Sequence, residues 1–86
     1  MLIPCSTTSH PKPSDVTIFT RHGCEYCVRA KGMLRDFGLE FEELVLNRDY
    51  TEATLRAVSG RSTVPEIFIN GDFIGGAEEL EAYLHK

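Results

Sequence analysis

The chain has 86 residues and a formal net charge of -4. That length suits one small domain, and the acidic balance argues against generic nucleic-acid binding. No run is long and apolar enough to cross a bilayer, so neither a nucleic acid nor a membrane is expected as a partner. Three cysteines cannot make a fully paired disulfide framework. Two of them, Cys24 and Cys27, form a CxxC, which points to a reducing compartment and to catalytic sulfur. Met1-Leu2-Ile3 is too short for a signal-peptide core and no basic region precedes it, so a cytoplasmic location is the expectation.

Residues 1–15 read as a disordered tail or linker. Pro4, Pro11 and Pro13 alternate there with Ser, Thr and Lys, without periodicity. Cys5 lies in this tail and reads as a spare thiol. A single domain is expected over 16–86. Its first strand is Val16–Thr20, with Val16 and Ile18 on one face and Phe19 on the other, as in a strand covered on both sides. After Arg21-His22-Gly23-Cys24-Glu25-Tyr26-Cys27 the spacing predicts a helix over 25–37. Ala30, Met33, Leu34 and Phe37 form its buried stripe, and Gly38 stops it. A second strand over 41–46 completes a right-handed parallel crossover. Asp49 with Glu52 matches a capping box for a short helix over 51–59, with Ala53, Leu55 and Val58 inward and Gly60 as its stop. Apolar runs over 64–69 and 72–75 flank Asn70-Gly71. That pair predicts an antiparallel hairpin, because a type I′ turn needs positive φ at both central residues. Gly75-Gly76 then opens a last helix over 77–85, with Leu80 and Leu84 inward. The order is β-α-β-α-β-β-α.

Chemistry concentrates at the CxxC, between an apolar strand and the first turn of a helix. First-turn amides lack intrahelical acceptors and carry partial positive charge, so they stabilise a thiolate placed there. Cys24 holds that position. Cys27, one turn further in, is close enough to attack a mixed disulfide on Cys24. Arg21 adjoins the thiol and adds a cation, whereas His22 reads as an exposed loop residue. Zinc would want four ligands; a second CxxC or a suitably spaced histidine pair is absent, so no metal is expected.

Three motifs together resemble the glutaredoxin family, within the thioredoxin fold, over residues 16–85. They are Thr20-Arg21-His22-Gly23-Cys24-Glu25-Tyr26-Cys27, Gly60-Arg61-Ser62-Thr63-Val64-Pro65-Glu66-Ile67-Phe68-Ile69-Asn70-Gly71, and Ile74-Gly75-Gly76-Ala77-Glu78-Glu79-Leu80. The resemblance implies an α/β thioredoxin-like fold, a four-stranded mixed sheet in the order 2-1-3-4 with helices on both faces, and a cis Val64–Pro65 bond. It further implies a glutathione-dependent thiol–disulfide oxidoreductase in which Cys24 is the nucleophile and Cys27 the resolving thiol.

The glutathione site carries over residue by residue. Val64 next to Pro65 would pair with the cysteinyl backbone through its own backbone groups, in the segment that Thr63 opens. Arg21, in place of the family's usual lysine, and Arg61 would bind the glycyl carboxylate. Tyr26 would flank the sulfur. Gly75 and Gly76 would let the ligand come close, and the Ala77 and Glu78 amides would hold the γ-glutamyl carboxylate. The Glu78 side chain would take the γ-glutamyl amine. Implied partners are glutathione, as co-substrate, and glutathionylated or disulfide-containing proteins, with a peroxiredoxin among them because some glutaredoxins are fused behind one. A monomer is expected.

The sequence departs from the family pattern at Glu25, where proline is common, and at Ala77-Glu78, where Cys or Ser followed by Asp is common. Two rivals remain open: a thioredoxin-like redoxin served by a reductase, and a glutathione-ligated iron–sulfur carrier, which usually has a small residue where Glu25 stands.

Overall fold

The β-branched run Val16–Thr20 forms β1, an inner strand of a sheet ordered β2-β1-β3-β4 in a computed structural model that describes residues 15–86. Apart from Asp15, the tail lies outside the described residues, as does Cys5. Strand β2 (Glu42–Val45) runs parallel to β1, and β3 (Glu66–Ile69) runs antiparallel to it. Strand β4 (Asp72–Gly75) completes the sheet against β3. Asn70 and Gly71, at the tip of that hairpin, have φ of 54° and 87°, the left-handed values that a type I′ turn demands. Helices α1 (Glu25–Asp36), α2 (Glu52–Ser59) and α3 (Ala77–Leu84) complete the expected thioredoxin-like order.

Each inner strand buries both faces, which divides the core in two. Val16 and Ile18 of β1 join Ile67 and Ile69 of β3 against Ala30 and Leu34 of α1 and Ala77 and Leu80 of α3. On the opposite face Phe19 packs with Tyr50 and with Leu55 of α2. Its ring meets Tyr50 edge-on at 5.0 Å and Phe68 at 5.8 Å, a geometry that adds about 0.5–1.5 kcal/mol per pair beyond area burial.

Helix ends follow the caps. α1 closes in a Schellman motif, with Leu39 N donating to Leu34 O at 2.9 Å, Gly38 N donating to Arg35 O at 2.9 Å, and Gly38 at φ 72°. Phe37 is thereby the C-cap and leaves the helical course. It is 45% exposed, set edge-on to His85 at 5.2 Å, rather than part of the buried stripe.

α2 differs more from expectation. Its N-cap is Thr51, whose hydroxyl accepts from Thr54 N. Asp49 is spent elsewhere, accepting from the Val45 amide at 2.8 Å and from the Arg48 guanidinium. There is therefore no Asp49–Glu52 capping box. Ala53 and Val58 face solvent, so Leu55 alone anchors this helix in the core. Strand β3 starts two residues later than the apolar run suggests, after Pro65, which has no N–H to give to a ladder.

Because one side chain holds α2 to the sheet, Leu55→Ala is expected to cost about 2–5 kcal/mol. Urea unfolding measures it; a loss below about 1 kcal/mol would show that α2 is held by something else.

Candidate functional site

Thr20 ends β1, and the chain then crosses Gly23, at φ 74°, before α1 begins. Cys24 is the N-cap of α1, and its sulfur accepts the Cys27 amide at 3.2 Å. The sulfur thus takes the place of a capping oxygen and draws on the partial positive charge of the helix start. Cys24 is 9% exposed and lines a cavity of about 590 Å³, shared with Arg21, Lys31 and Arg48. Cys27 lies deeper, at 2% exposure. Burial, and then its contact with the Cys24 sulfur, push the Cys27 thiol up to about 12, against the opposing pull of Arg21. The two sulfurs are therefore unlike: Cys27 stays protonated at neutral pH, whereas the Cys24 sulfur accepts a first-turn amide.

The floor of this cavity is tied together by Glu43. Its carboxylate accepts from the Thr20 hydroxyl at 2.7 Å and from Lys31 at 2.9 Å, linking β1, β2 and α1. The Thr20 hydroxyl, and then Lys31, hold the Glu43 carboxyl below the usual carboxylate range.

On the other side of the CxxC a second groove, of about 350 Å³, runs from Tyr26 along Arg61, Thr63, Val64 and Pro65. It ends at Gly76, Ala77 and Glu78, where α3 begins. The Val64–Pro65 bond is cis. Eight of the residues singled out from sequence are thus brought to one groove. Arg21 is not among them. It lines the CxxC cavity and a third one, of about 340 Å³, next to Tyr50, Thr63 and Val64.

Gly75 is buried, with φ 123°, and a Cβ there would come within 2.8 Å of the Glu79 Cβ. At Gly76 the neighbours are Glu79 Oε1 at 3.3 Å and Pro65 O at 3.4 Å. The pair of glycines therefore makes room first for Glu79 and the Pro65 carbonyl.

A scan of family models matches residues 16–74 to Glutaredoxin. The chain belongs to the glutaredoxin family. As such it is a thiol–disulfide oxidoreductase of thioredoxin fold. It is 50% identical over 74 residues to the hybrid peroxiredoxin hyPrx5 of Haemophilus influenzae, a match covering 86% of this chain and 31% of that one. The chain thus spans about a third of that relative. It is 42% identical over 71 residues to glutaredoxin 3 of Escherichia coli, covering 80% of this chain and 84% of that one. Among solved structures, glutaredoxin 1 of Francisella tularensis aligns with a TM-score of 0.71 at 33% identity, covering 83% and 92% of the two chains. A buckwheat glutaredoxin–glutathione complex aligns at 0.74 and 27% identity, covering 83% and 68%.

Three residues of this glutaredoxin's site were not singled out from sequence. Glu79 accepts the Gly76 amide at 2.8 Å, and this bond holds its carboxyl below the usual range. A Glu three residues past a helix start is a readable signal of such a cap. Tyr50 donates to the Thr20 carbonyl at 2.8 Å, and burial pushes its hydroxyl up to about 12. Glu66 is fully buried. The last two carry no local pattern that marks them.

Two outcomes follow from this geometry. Gly75→Ala is expected to destabilise by at least about 1 kcal/mol, since positive φ and contact with Glu79 both oppose it; unchanged thermal unfolding would refute the packing described. For Glu43 the folded carboxyl titrates below its unfolded value of about 4.3. Its contribution is thus complete above that pH and is lost as pH falls through the lower, folded value. The stability gap between the parent and Glu43→Gln, measured by urea midpoints, should hold from about pH 7 to pH 5 and narrow below that. A gap that persists undiminished at the acid end would contradict the assignment.

Proposed function

We propose that this glutaredoxin uses glutathione to reduce protein–glutathione mixed disulfides and disulfides. The observation that carries the reading is a sulfur capping α1 beside a groove that starts at Tyr26 and ends at the first turn of another helix. A tripeptide with a carboxylate at each end fits such a groove, because Arg61 offers a cation and the start of α3 offers amides to an anion. Val64 lines the same groove and has a backbone to offer for strand-like pairing. The structural likeness to a glutaredoxin crystallised with glutathione supports the same ligand.

In the proposed reaction the Cys24 thiolate attacks the glutathionyl sulfur of a protein mixed disulfide. A new S–S bond joins Cys24 to glutathione, and the protein leaves as its thiolate. A second glutathione, as thiolate, then attacks the glutathionyl sulfur on Cys24. Glutathione disulfide departs and Cys24 is again a thiolate. On a dithiol path Cys27 gives up its proton and attacks Cys24 instead, releasing glutathione and leaving a Cys24–Cys27 disulfide for later reduction. A peroxiredoxin is the protein partner we favour, given the similarity to part of a hybrid peroxiredoxin.

Deglutathionylation by the parent, Cys24→Ser and Cys27→Ser tests this. Cys24→Ser should be inactive. Cys27→Ser should keep deglutathionylation while losing reduction of protein disulfides that need two thiols. Turnover by Cys24→Ser, or turnover that runs on a thioredoxin reductase and not on glutathione, would overturn the proposal.

A further inference from the structure

Glu66 is the first residue of β3 and follows Pro65, which lines the candidate glutathione groove. It has no exposed surface, and neither carboxylate oxygen has a hydrogen-bond partner. An ionised carboxylate in that position costs several kcal/mol unless it is compensated. It sits opposite Phe19 in the β1–β3 ladder, so the two side chains share the α2 face of the sheet. Phe68, two residues on, lies on the same face with its ring 5.1 Å from that of Phe73. The Arg61 guanidinium lies over the Phe73 ring, 4.9 Å from its centroid. Arg61 also lines the groove. One cation therefore both lines the groove where a ligand's carboxylate would arrive and acts electrostatically on the buried carboxylate.

We propose that Glu66 and a carboxylate of glutathione compete for Arg61, so that glutathione binding is coupled to uptake of a proton by Glu66. The inference rests on the glutathione reading above and adds a residue that reading does not use. Glu66 is a positioning residue here: it touches no substrate and acts through Arg61.

The direction follows from the surroundings. The groups around the Glu66 carboxyl are the Ser59 hydroxyl at the end of α2, Arg61 in the loop beyond, the Tyr50 phenol before α2, and the apolar Phe19 and Phe68 of the sheet. The Ser59 hydroxyl is engaged with the Leu55 and Arg61 carbonyls and the Arg61 amide. Burial raises the Glu66 pKa, and Ser59 and Arg61 oppose that rise. When Glu66 is ionised, part of the Arg61 charge is answered from within the protein. When Glu66 is protonated, that internal answer is lost and only Glu79 still opposes the Arg61 charge. A ligand carboxylate at Arg61 removes the cation that favours ionised Glu66 and adds a like charge, so the Glu66 pKa rises further. By linkage, affinity is highest below the Glu66 pKa of the free protein. It falls as pH rises and levels off above the pKa of the complex. Glu79, the other carboxylate whose titration senses Arg61, is held low by the Gly76 amide and stays ionised throughout.

The test is calorimetric titration of the full chain with S-methylglutathione, which keeps both carboxylates but has no free thiol, from about pH 5 to pH 8. The parent should lose roughly fivefold or more in affinity across that range and take up protons on binding. Glu66→Gln should bind with the parent's acid-side affinity at every pH. In Arg61→Gln, adding Glu66→Gln should change nothing. An equal pH slope in the parent and Glu66→Gln would overturn the coupling while leaving the glutathione reading intact. Absence of binding at every pH would overturn both. Should Glu66→Gln not fold, the Glu66 carboxyl carbon of the parent, followed by NMR, replaces it. Its titration midpoint must move up when S-methylglutathione is added, and a stationary midpoint ends the proposal.

Discussion

The amide of Cys27 points at the sulfur of Cys24 from 3.2 Å, and the working end of the molecule is arranged to keep it there. A helix start always leaves donors without partners; in this chain a sulfur accepts one of them. For that to happen α1 must be held in place, which Ala30 and Leu34 do by packing on the sheet face that carries Ile18 and Ile67. The strand feeding the loop must also stop at Thr20, whose carbonyl is taken by Tyr50 and whose hydroxyl is taken by Glu43. The cap also separates the two thiols. One sulfur accepts a backbone amide, and the sulfur buried one turn further in is held in its protonated form. Two chemically identical side chains thereby meet different surroundings.

The divided core determines what surrounds that sulfur. With α1 and α3 on one face and α2 on the other, the loops at this end of the sheet converge from both sides. One cavity opens between α1 and β2, and one groove opens between the segment before β3 and the start of α3. The glycine pair belongs to this packing: without a Cβ at Gly75, Glu79 can fold back to cap the helix whose first turn closes the groove.

Carboxylates at this end occupy three different electrostatic settings. Glu43 is hydrogen-bonded by a hydroxyl and a lysine, and Glu79 by a backbone amide; both are held in the ionised form. Neither Glu66 oxygen has a donor within hydrogen-bond reach, and burial outweighs the opposing pull of Ser59 and Arg61. The distinction does not depend on residue type. It depends on whether a donor stands within hydrogen-bond reach to replace the water that folding removes.

Element order, the hairpin at Asn70-Gly71, the parallel crossover and the CxxC at a helix start were all legible in the residues, because each depends on local chemistry: turn dihedrals, side-chain period, unpaired amides. Where several local solutions compete, tertiary contacts chose among them. Asp49 looked like a cap but bonded backwards to Val45, leaving Thr51 to start α2. Phe37 kept the helical period yet fell on the cap residue and turned outward. The shifted titrations of Cys27, Tyr50 and Glu66 were beyond any local reading, since burial and distant neighbours determine them. The chain by itself determined which chemistry is present; the folded arrangement alone decided which groups keep their protons, because that depends on what water each group has lost and what has replaced it.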